Sequence, residues 1–319
     1  VIIIGAGWYG LAAAKTYLAL FPSIHLTIID QDRTVGGVWS GSRCYPGLLA
    51  DSPPANFDFS DLPMDEVLGI DKWADLPAEK VHEYLERYVD KFDLRRCLRL
   101  STRVLGIEKE EEGGWVVEVQ GIAEGEAERR KEMLACDKLI IAAGVNSIPK
   151  FPEELDWSEF AGSVMHSKDV GKNHNLLTAE KVKRVTVVGG NKSAVDAVYL
   201  CAKAGKEVDW VISPHGYGPG ILFEPRTKNG TSFASIKLAR ASLIPGPTIL
   251  NASGFWYWFL HSGKSWVGAW VLRIAMKLLT RDMMTMYKRN GNTMKIAPDL
   301  PEYVFHLPSP VAKKRFLLI

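Results

Sequence analysis

The first ten residues, Val1-Ile2-Ile3-Ile4-Gly5-Ala6-Gly7-Trp8-Tyr9-Gly10, restrict the fold more than any other stretch of the chain. Four consecutive apolar, β-branched residues read as a strand buried on both faces, as in a parallel sheet. Gly5, Gly7 and Gly10 then follow the spacing G-x-G-x-x-G and run into Leu11-Ala12-Ala13-Ala14-Lys15, a strong helix start. In such a turn the first glycine allows the reversal and the second admits a pyrophosphate to the backbone. The third lets the helix lie close on the strand, with the phosphates at the positive end of the helix dipole. A second apolar run, Ile24 to Ile29, ends at Asp30, twenty residues after Gly10. An acid at that place accepts hydrogen bonds from a ribose hydroxyl.

With 319 residues the chain is long enough for two domains with their own cores. A formal net charge of +2 gives no electrostatic footprint for nucleic acid. Cys44, Cys97, Cys136 and Cys201 lie far apart, with neither C-x-x-C nor zinc spacing. They point to a reducing compartment, no thiol redox centre and no metal site. The chain starts inside a strand and reads as trimmed, so localisation is left as cytoplasmic or membrane-associated within the cell.

Gly36-Gly37-Val38-Trp39 follows closely on Asp30, and its glycine pair would let a loop pass tightly over a bound nucleotide. Ser40 to Pro54 is turn and loop chemistry, equally suited to a lining or a surface. Val81, Tyr84, Leu85, Tyr88 and Val89 recur at helical spacing between Pro77 and Phe92, with His82 off that stripe and read as solvated. Leu98 to Glu108 reads as one strand and Trp115 to Gln120 as another; Glu108 to Glu112 and Glu124 to Glu132 read as solvated hairpin tips. Leu134 to Gly144 is expected to be a buried strand whose small last residues, Ala142, Ala143 and Gly144, would press against a cofactor or a crossing strand.

After Pro149 and Pro152 the opening theme returns as Arg184-Val185-Thr186-Val187-Val188-Gly189-Gly190-Asn191-Lys192-Ser193-Ala194. Here Asn191 and Ala194 replace two of the glycines. The strand partner, Glu207 to Ile212, ends at Ser213, taken as the counterpart of Asp30. An acid there would repel a 2′-phosphate, so its absence favours NADP over NAD, with Lys192 and His215 as candidate phosphate partners. Two dinucleotide folds in one chain suit hydride transfer from a nicotinamide to a flavin.

Taken together, these pieces resemble the flavin-dependent (class B) monooxygenases, the group of flavin-containing and Baeyer–Villiger monooxygenases, over Val1 to about Gly220. Phe160-Ala161-Gly162-Ser163-Val164-Met165-His166 fits that family's F-x-G-x-x-x-H pattern, Gly36-Gly37-Val38-Trp39 its GG-x-W, and Ala142-Ala143-Gly144 its A-T-G segment with Thr replaced. Cys44-Tyr45-Pro46-Gly47-Leu48 and Gly189 to Ala194 look most like fungal members. The resemblance implies an α/β chain with two Rossmann-like domains, three-layered with parallel sheets. The first would hold FAD through Gly5, Gly7, Gly10, Asp30, Gly37, Trp39, Ala143 and Gly144. The second would hold NADPH through Gly189, Gly190, Lys192 and Ser193, with His166 as a domain-positioning residue. NADPH would reduce the flavin, O2 would add at flavin C4a, and the (hydro)peroxide would pass one oxygen to a small organic substrate. Asp51 would tune protonation at that edge, unless it merely caps the turn before Ser52-Pro53.

The ketone-oxidising members carry a Trp four residues after the His, where this chain has Val170, which favours N- or S-oxygenation over the Baeyer–Villiger alternative. A non-catalytic nucleotide-binding relative is the third reading. The expected division is 1–150 for FAD, 151–220 for the NADP core, 221–290 for a helical insertion walling the substrate site, and 291–319 for a divergent or truncated return. Pro245, Gly246, Pro247, Asn251 and Gly254 would break any spanning helix across 241–263. Trp266 to Tyr287 reads as one or two amphipathic helices, a lid or channel wall in preference to a membrane-surface helix.

Overall fold

The structure is a computed structural model that describes residues 1–122, 131–145, 148–151, 156–212, 254–289 and 316–318. Expectations that fall on Glu124 to Arg130, Ser213, His215, most of the 221–253 wall and 290–315 lie outside those residues. The chain divides into two compact units, Val1–Pro149 with Lys168–His174, and Lys150–Ser167 with Asn175–Ile319.

In the first unit a parallel sheet has the order β3-β2-β1-β7, with β1 Ile2–Ile4, β2 Thr27–Ile29, β3 Leu98–Arg99 and β7 Leu139–Ile141. Strand alternation sends its apolar residues to opposite faces. Ile3 and Ile28 are buried against Leu11 and Ala14 of α1 (Trp8–Leu20) and Val81, Tyr84, Leu85 and Tyr88 of α3 (Ala78–Lys91), with α2 (Met64–Leu68) beside them. Ile2 and Ile29 face the other way, onto Val117 and Val119 of β5. That strand is the centre of an antiparallel meander, β4 (Thr102–Lys109), β5 (Trp115–Gly121) and β6 (Lys131–Cys136). Helices, sheet and meander make the three layers, and burial on both faces explains the unbroken Ile run.

Two strands read as continuous are in fact broken. Leu98 to Glu108 splits at Ser101, whose φ of 49° lets β3 stay in the parallel sheet while β4 departs for the meander. Leu134 to Gly144 likewise splits after Cys136, between the meander and the parallel sheet, and it is not buried throughout: Ile141 is 67% exposed. His82 is half-buried rather than solvated; its Nδ1 is enclosed without a hydrogen-bond partner.

The second unit holds a sheet of order β10-β9-β11-β8, where β9 (Arg184–Val188) and β10 (Glu207–Val211) are parallel. Between β9 and β8 (Val164–Met165) runs β11 (Phe316–Leu318), antiparallel to both, so this sheet is mixed and the described end of the 291–319 segment joins it. Helix α4 (Val170–Thr178) precedes β9 and α5 (Lys192–Lys203) follows it. A helical hairpin, α6 (Phe255–His261) and α7 (Trp266–Arg289), also belongs to this unit. No described helix is long and apolar enough to cross a membrane.

Candidate functional site

The turn after β1 is held by backbone. Gly5, at φ +108°, donates its N–H to the Ile29 carbonyl at 2.7 Å, and a Cβ there would lie 2.3 Å from the Ala142 oxygen. At Gly10 a Cβ would lie 1.8 Å from the Gly5 oxygen, so only glycine lets α1 start this close to its strand. Gly7 is different: an added Cβ would meet Gly37 Cα at 3.7 Å, an ordinary contact. Packing therefore tolerates a methyl at Gly7, against the Gly37 backbone, where it tolerates none at Gly5 or Gly10.

Helix α1 opens there with no side-chain cap and no acid in its first turn, leaving its first N–H groups without intrahelical acceptors. An anion satisfies such groups, and the helix dipole favours it. The Gly36 N–H donates to the Ala6 carbonyl at 2.9 Å, which brings Gly37 and the 36–39 loop over this turn. Half-buried Trp39 sits edge-on to Phe57, ring centroids 5.8 Å apart. Ala143 and Gly144 are exposed just past β7, with Gly144 at φ +73° and nothing near it. Gly5, Gly7, Gly10, Gly37 and the Ala142–Ala143 peptide thus meet at one point; the nearest approach of that peptide is to Gly5 itself.

Asp30 lies where the ribose acid belongs, but both its oxygens are engaged: Oδ2 accepts the Ala6 N–H at 2.7 Å and Oδ1 the Asp32 N–H at 2.9 Å. A carboxylate has about four lone-pair sites, so capacity for a ribose hydroxyl remains. Burial pushes its pKa above the usual carboxylate value, against the pull of the two N–H groups and of Arg43. Sequence reasoning overlooked Asp32 and Arg43, which pair at 2.8 Å with both side chains 12% exposed; the Ser40 hydroxyl donates to the same Asp32 oxygen at 3.0 Å. Only a D-x-D spacing hinted at them. Burial lowers the pKa of nearby Lys168, and Gly171 leaves no room for a Cβ against the Arg43 backbone, 2.5 Å away.

Asp51 is exposed in a bend and its carboxylate has no hydrogen bond among the described residues, so it does not cap the Ser52-Pro53 turn. His166 is half-buried with its ring edge-on to Phe151 at 5.9 Å.

In the second unit the same turn recurs. Gly189, at φ +129°, donates to the Val211 carbonyl at 2.9 Å, as Gly5 does to Ile29. The register Val188↔Val211 matches Ile4↔Ile29, which makes Ile212 the counterpart of Asp30 rather than Ser213. The residue at the ribose position is apolar. Gly190 and Ser193 are half-buried at the start of α5. The Lys192 ammonium contacts both oxygens of Asp196 at 2.7 Å, so its charge is shared before any phosphate arrives. The Trp210 indole N–H donates to the Gly189 carbonyl at 2.7 Å.

The family model described as pyridine nucleotide-disulphide oxidoreductase matches residues 2–229. The chain belongs to that family. An FAD-dependent monooxygenase of Pyrenophora dematioidea is 36% identical over 92% of this chain and 55% of its own length. The FAD-dependent monooxygenase rstn6 of Aspergillus nomiae is 38% identical over 92% of this chain and 52% of its own. The chain therefore spans about half the length of the curated relatives it matches. Among solved structures, a cyclohexanone monooxygenase variant of Rhodococcus sp. Phi1 bound to NADP+ is 25% identical, covering 76% of this chain and 43% of its own with a TM-score of 0.54. The resemblance to flavin-dependent monooxygenases, and to fungal ones in particular, is borne out by these relatives, as is the Rossmann-like α/β fold.

All four cysteines are free, and burial pushes the Cys44 and Cys201 thiols up to about 11, away from the reactive thiolate.

Proposed function

We propose that the protein to which this chain belongs is an FAD- and NADPH-dependent monooxygenase that places one oxygen atom of O2 on a small organic substrate. The observation that supports it most is the uncapped start of α1 at Gly7, with no acid in its first turn and the Gly37 loop packed beside it. When bound there, FAD would accept a hydride from NADPH and activate O2. The chain's own part is to cradle the diphosphate on the first turn of α1 and accept ribose hydroxyls at Asp30. Trp39 and the 36–39 loop would keep water from the ring. The bare carboxylate of Asp51 would hold or release a proton at its Oδ atoms near the reacting edge.

NADPH is assigned to the Gly189–Ser193 turn because Ile212 offers a 2′-phosphate no repelling charge, with Lys192 and Ser193 beside it. His166 remains a positioning residue, and the division at 150, 220 and 290 belongs to the same proposal. N- or S-oxygenation is favoured over ketone oxidation because Val170, only 1% exposed, fills the place of the ketone oxidisers' Trp. The deciding experiment is an absorbance spectrum of the full-length protein, followed by anaerobic NADPH. A flavin spectrum that bleaches, with O2 and NADPH then consumed together on aeration, is expected. Colourless protein that takes up no FAD would overturn the proposal, and bound flavin that NADPH fails to bleach would mark a non-catalytic relative. Product analysis with an amine, a sulfide and a cyclic ketone separates the oxygenation classes.

A further inference from the structure

A run of exposed large apolar side chains lies far in sequence from both nucleotide turns, on the α6–α7 hairpin. Trp266 is 82% exposed, Phe255 63%, Trp270 and Leu278 57% each, and Trp256 51%. Large aromatic side chains left in water in one short hairpin are unlike the single apolar residues scattered over any protein surface. Their arrangement is regular. Trp266, Trp270, Ile274 and Leu278 recur every fourth residue and so share one line along α7. Gly268, about 160° round the helix from Trp266, is the packing point against α6: a Cβ there would lie 1.7 Å from the Phe259 carbonyl oxygen. The contact with α6 at Gly268 thus lies away from Trp266, whose ring is left exposed.

The charges follow a pattern too. From Gly254 to Arg289 there are six Lys or Arg residues, Lys264, Arg273 and Lys277 among them, against one acid, Asp282. Arg273 and Lys277 keep the same four-residue step one position before Ile274 and Leu278, which sets them along one edge of the aromatic line. That is the layout of a helix lying in a bilayer interface: indole rings at headgroup depth, with long basic side chains reaching out along one edge to anionic groups. An anionic lipid surface is complementary to this excess of cations beside exposed aromatic rings.

We propose that the α6–α7 hairpin docks on an anionic membrane surface, lying in its interface without crossing it. This attachment is independent of the oxygenase reading and would serve equally a protein that binds no flavin.

The test is sedimentation of the full-length protein with vesicles of phosphatidylcholine alone or mixed with phosphatidylserine, read together with tryptophan fluorescence. Strong binding to the serine-containing vesicles is expected, with a blue-shifted emission and weakening in salt. Lys264→Gln, Arg273→Gln and Lys277→Gln combined should weaken that binding about a hundredfold, each cation contributing about fivefold. Trp266→Ala with Trp270→Ala should abolish the blue shift while the melting temperature of the protein is kept, since both rings are exposed. Failure of the unaltered protein to bind either vesicle would overturn the proposal. So would binding that the three glutamines leave intact, or a concentration-dependent dimer that the tryptophan pair removes, which would make a second copy the occupant.

Discussion

Gly7 and Gly10 look alike in the sequence and do opposite work in the structure, and alanine at each separates the two roles. At Gly10 the methyl would sit 1.8 Å from the Gly5 carbonyl oxygen, where a relaxed contact needs about 3.5 Å. Both partners are backbone, so no side chain can swing aside; α1 must lift from β1. Overpacking of this kind costs about 3 kcal/mol, the upper end of its usual range. At about 2–4 °C per kcal/mol, the FAD-free protein should melt roughly 6–12 °C lower. At Gly7 the backbone is extended, with φ −85° and ψ −170°, and the methyl touches only the Gly37 backbone, its Cα at 3.7 Å and its N at 3.9 Å. The FAD-free protein should therefore melt within about 2 °C of the unaltered one, a change of about 0.5 kcal/mol. That methyl would instead fill the approach to the diphosphate. FAD affinity, titrated by quenching of flavin fluorescence, should fall at least about tenfold, or about 1.4 kcal/mol. If Gly7→Ala melts as low as Gly10→Ala, or binds FAD as tightly as the parent, the turn is a packing device and the phosphate cradle is wrong.

Ile212→Asp restores an acid at the ribose position of the second turn and should lower the NADPH-to-NADH ratio of kcat/KM at least about tenfold; an unchanged ratio would remove Ile212 from coenzyme selection. With pKa values of about 11, Cys44 and Cys201 carry about one thiolate per thousand thiols at pH 8. Native-state alkylation should accordingly be slow there and speed up about tenfold per pH unit towards 11, leaving NADPH oxidation intact. Stoichiometric labelling at pH 8 with loss of activity would revive a thiol mechanism. Arg43→Ala strands Asp32 at 12% exposure and should cost about 2–4 kcal/mol in denaturant melts, with the Asp32→Ala, Arg43→Ala double variant losing less than the sum of the two.

What could be read from the sequence was whatever repeats at short range. The Ile run, the glycine spacing, the α3 stripe and Asp30 each follow from local periodicity, and each took its expected place. Contacts between distant segments were not legible. Nothing near Leu98 or Leu134 announces that one apolar run must serve two sheets, because the break is imposed by where the meander stacks on Ile2 and Ile29. Arg43 and Asp32 are ordinary loop residues until the 36–43 loop folds back over the first turn. The counterpart of Asp30 shifts by one residue because the apolar run from Glu207 reaches Ile212 whereas the strand itself ends at Val211. Strand register moves the position to Ile212.

The second turn also shows why glycine spacing alone underestimates this fold. Asn191 replaces the middle glycine, yet its φ of −100° and ψ of 176° are nearly those of Gly7, a conformation any residue can adopt. Ala194 replaces the last glycine and is only 3% exposed, so a methyl is accommodated at the start of α5 where none fits at Gly10. Only Gly189, at φ +129°, is required by backbone conformation. The backbone of the two turns is thus shared, and what differs is the side chain set around the phosphate position: none at Gly7, an amide at Asn191 with an ammonium next to it. A bare turn lets a diphosphate lie directly on the peptide N–H groups, whereas the amide and ammonium add donors for a ligand with more negative charge. That difference, rather than loss of a motif, is what the proposed pair of unlike nucleotides would require.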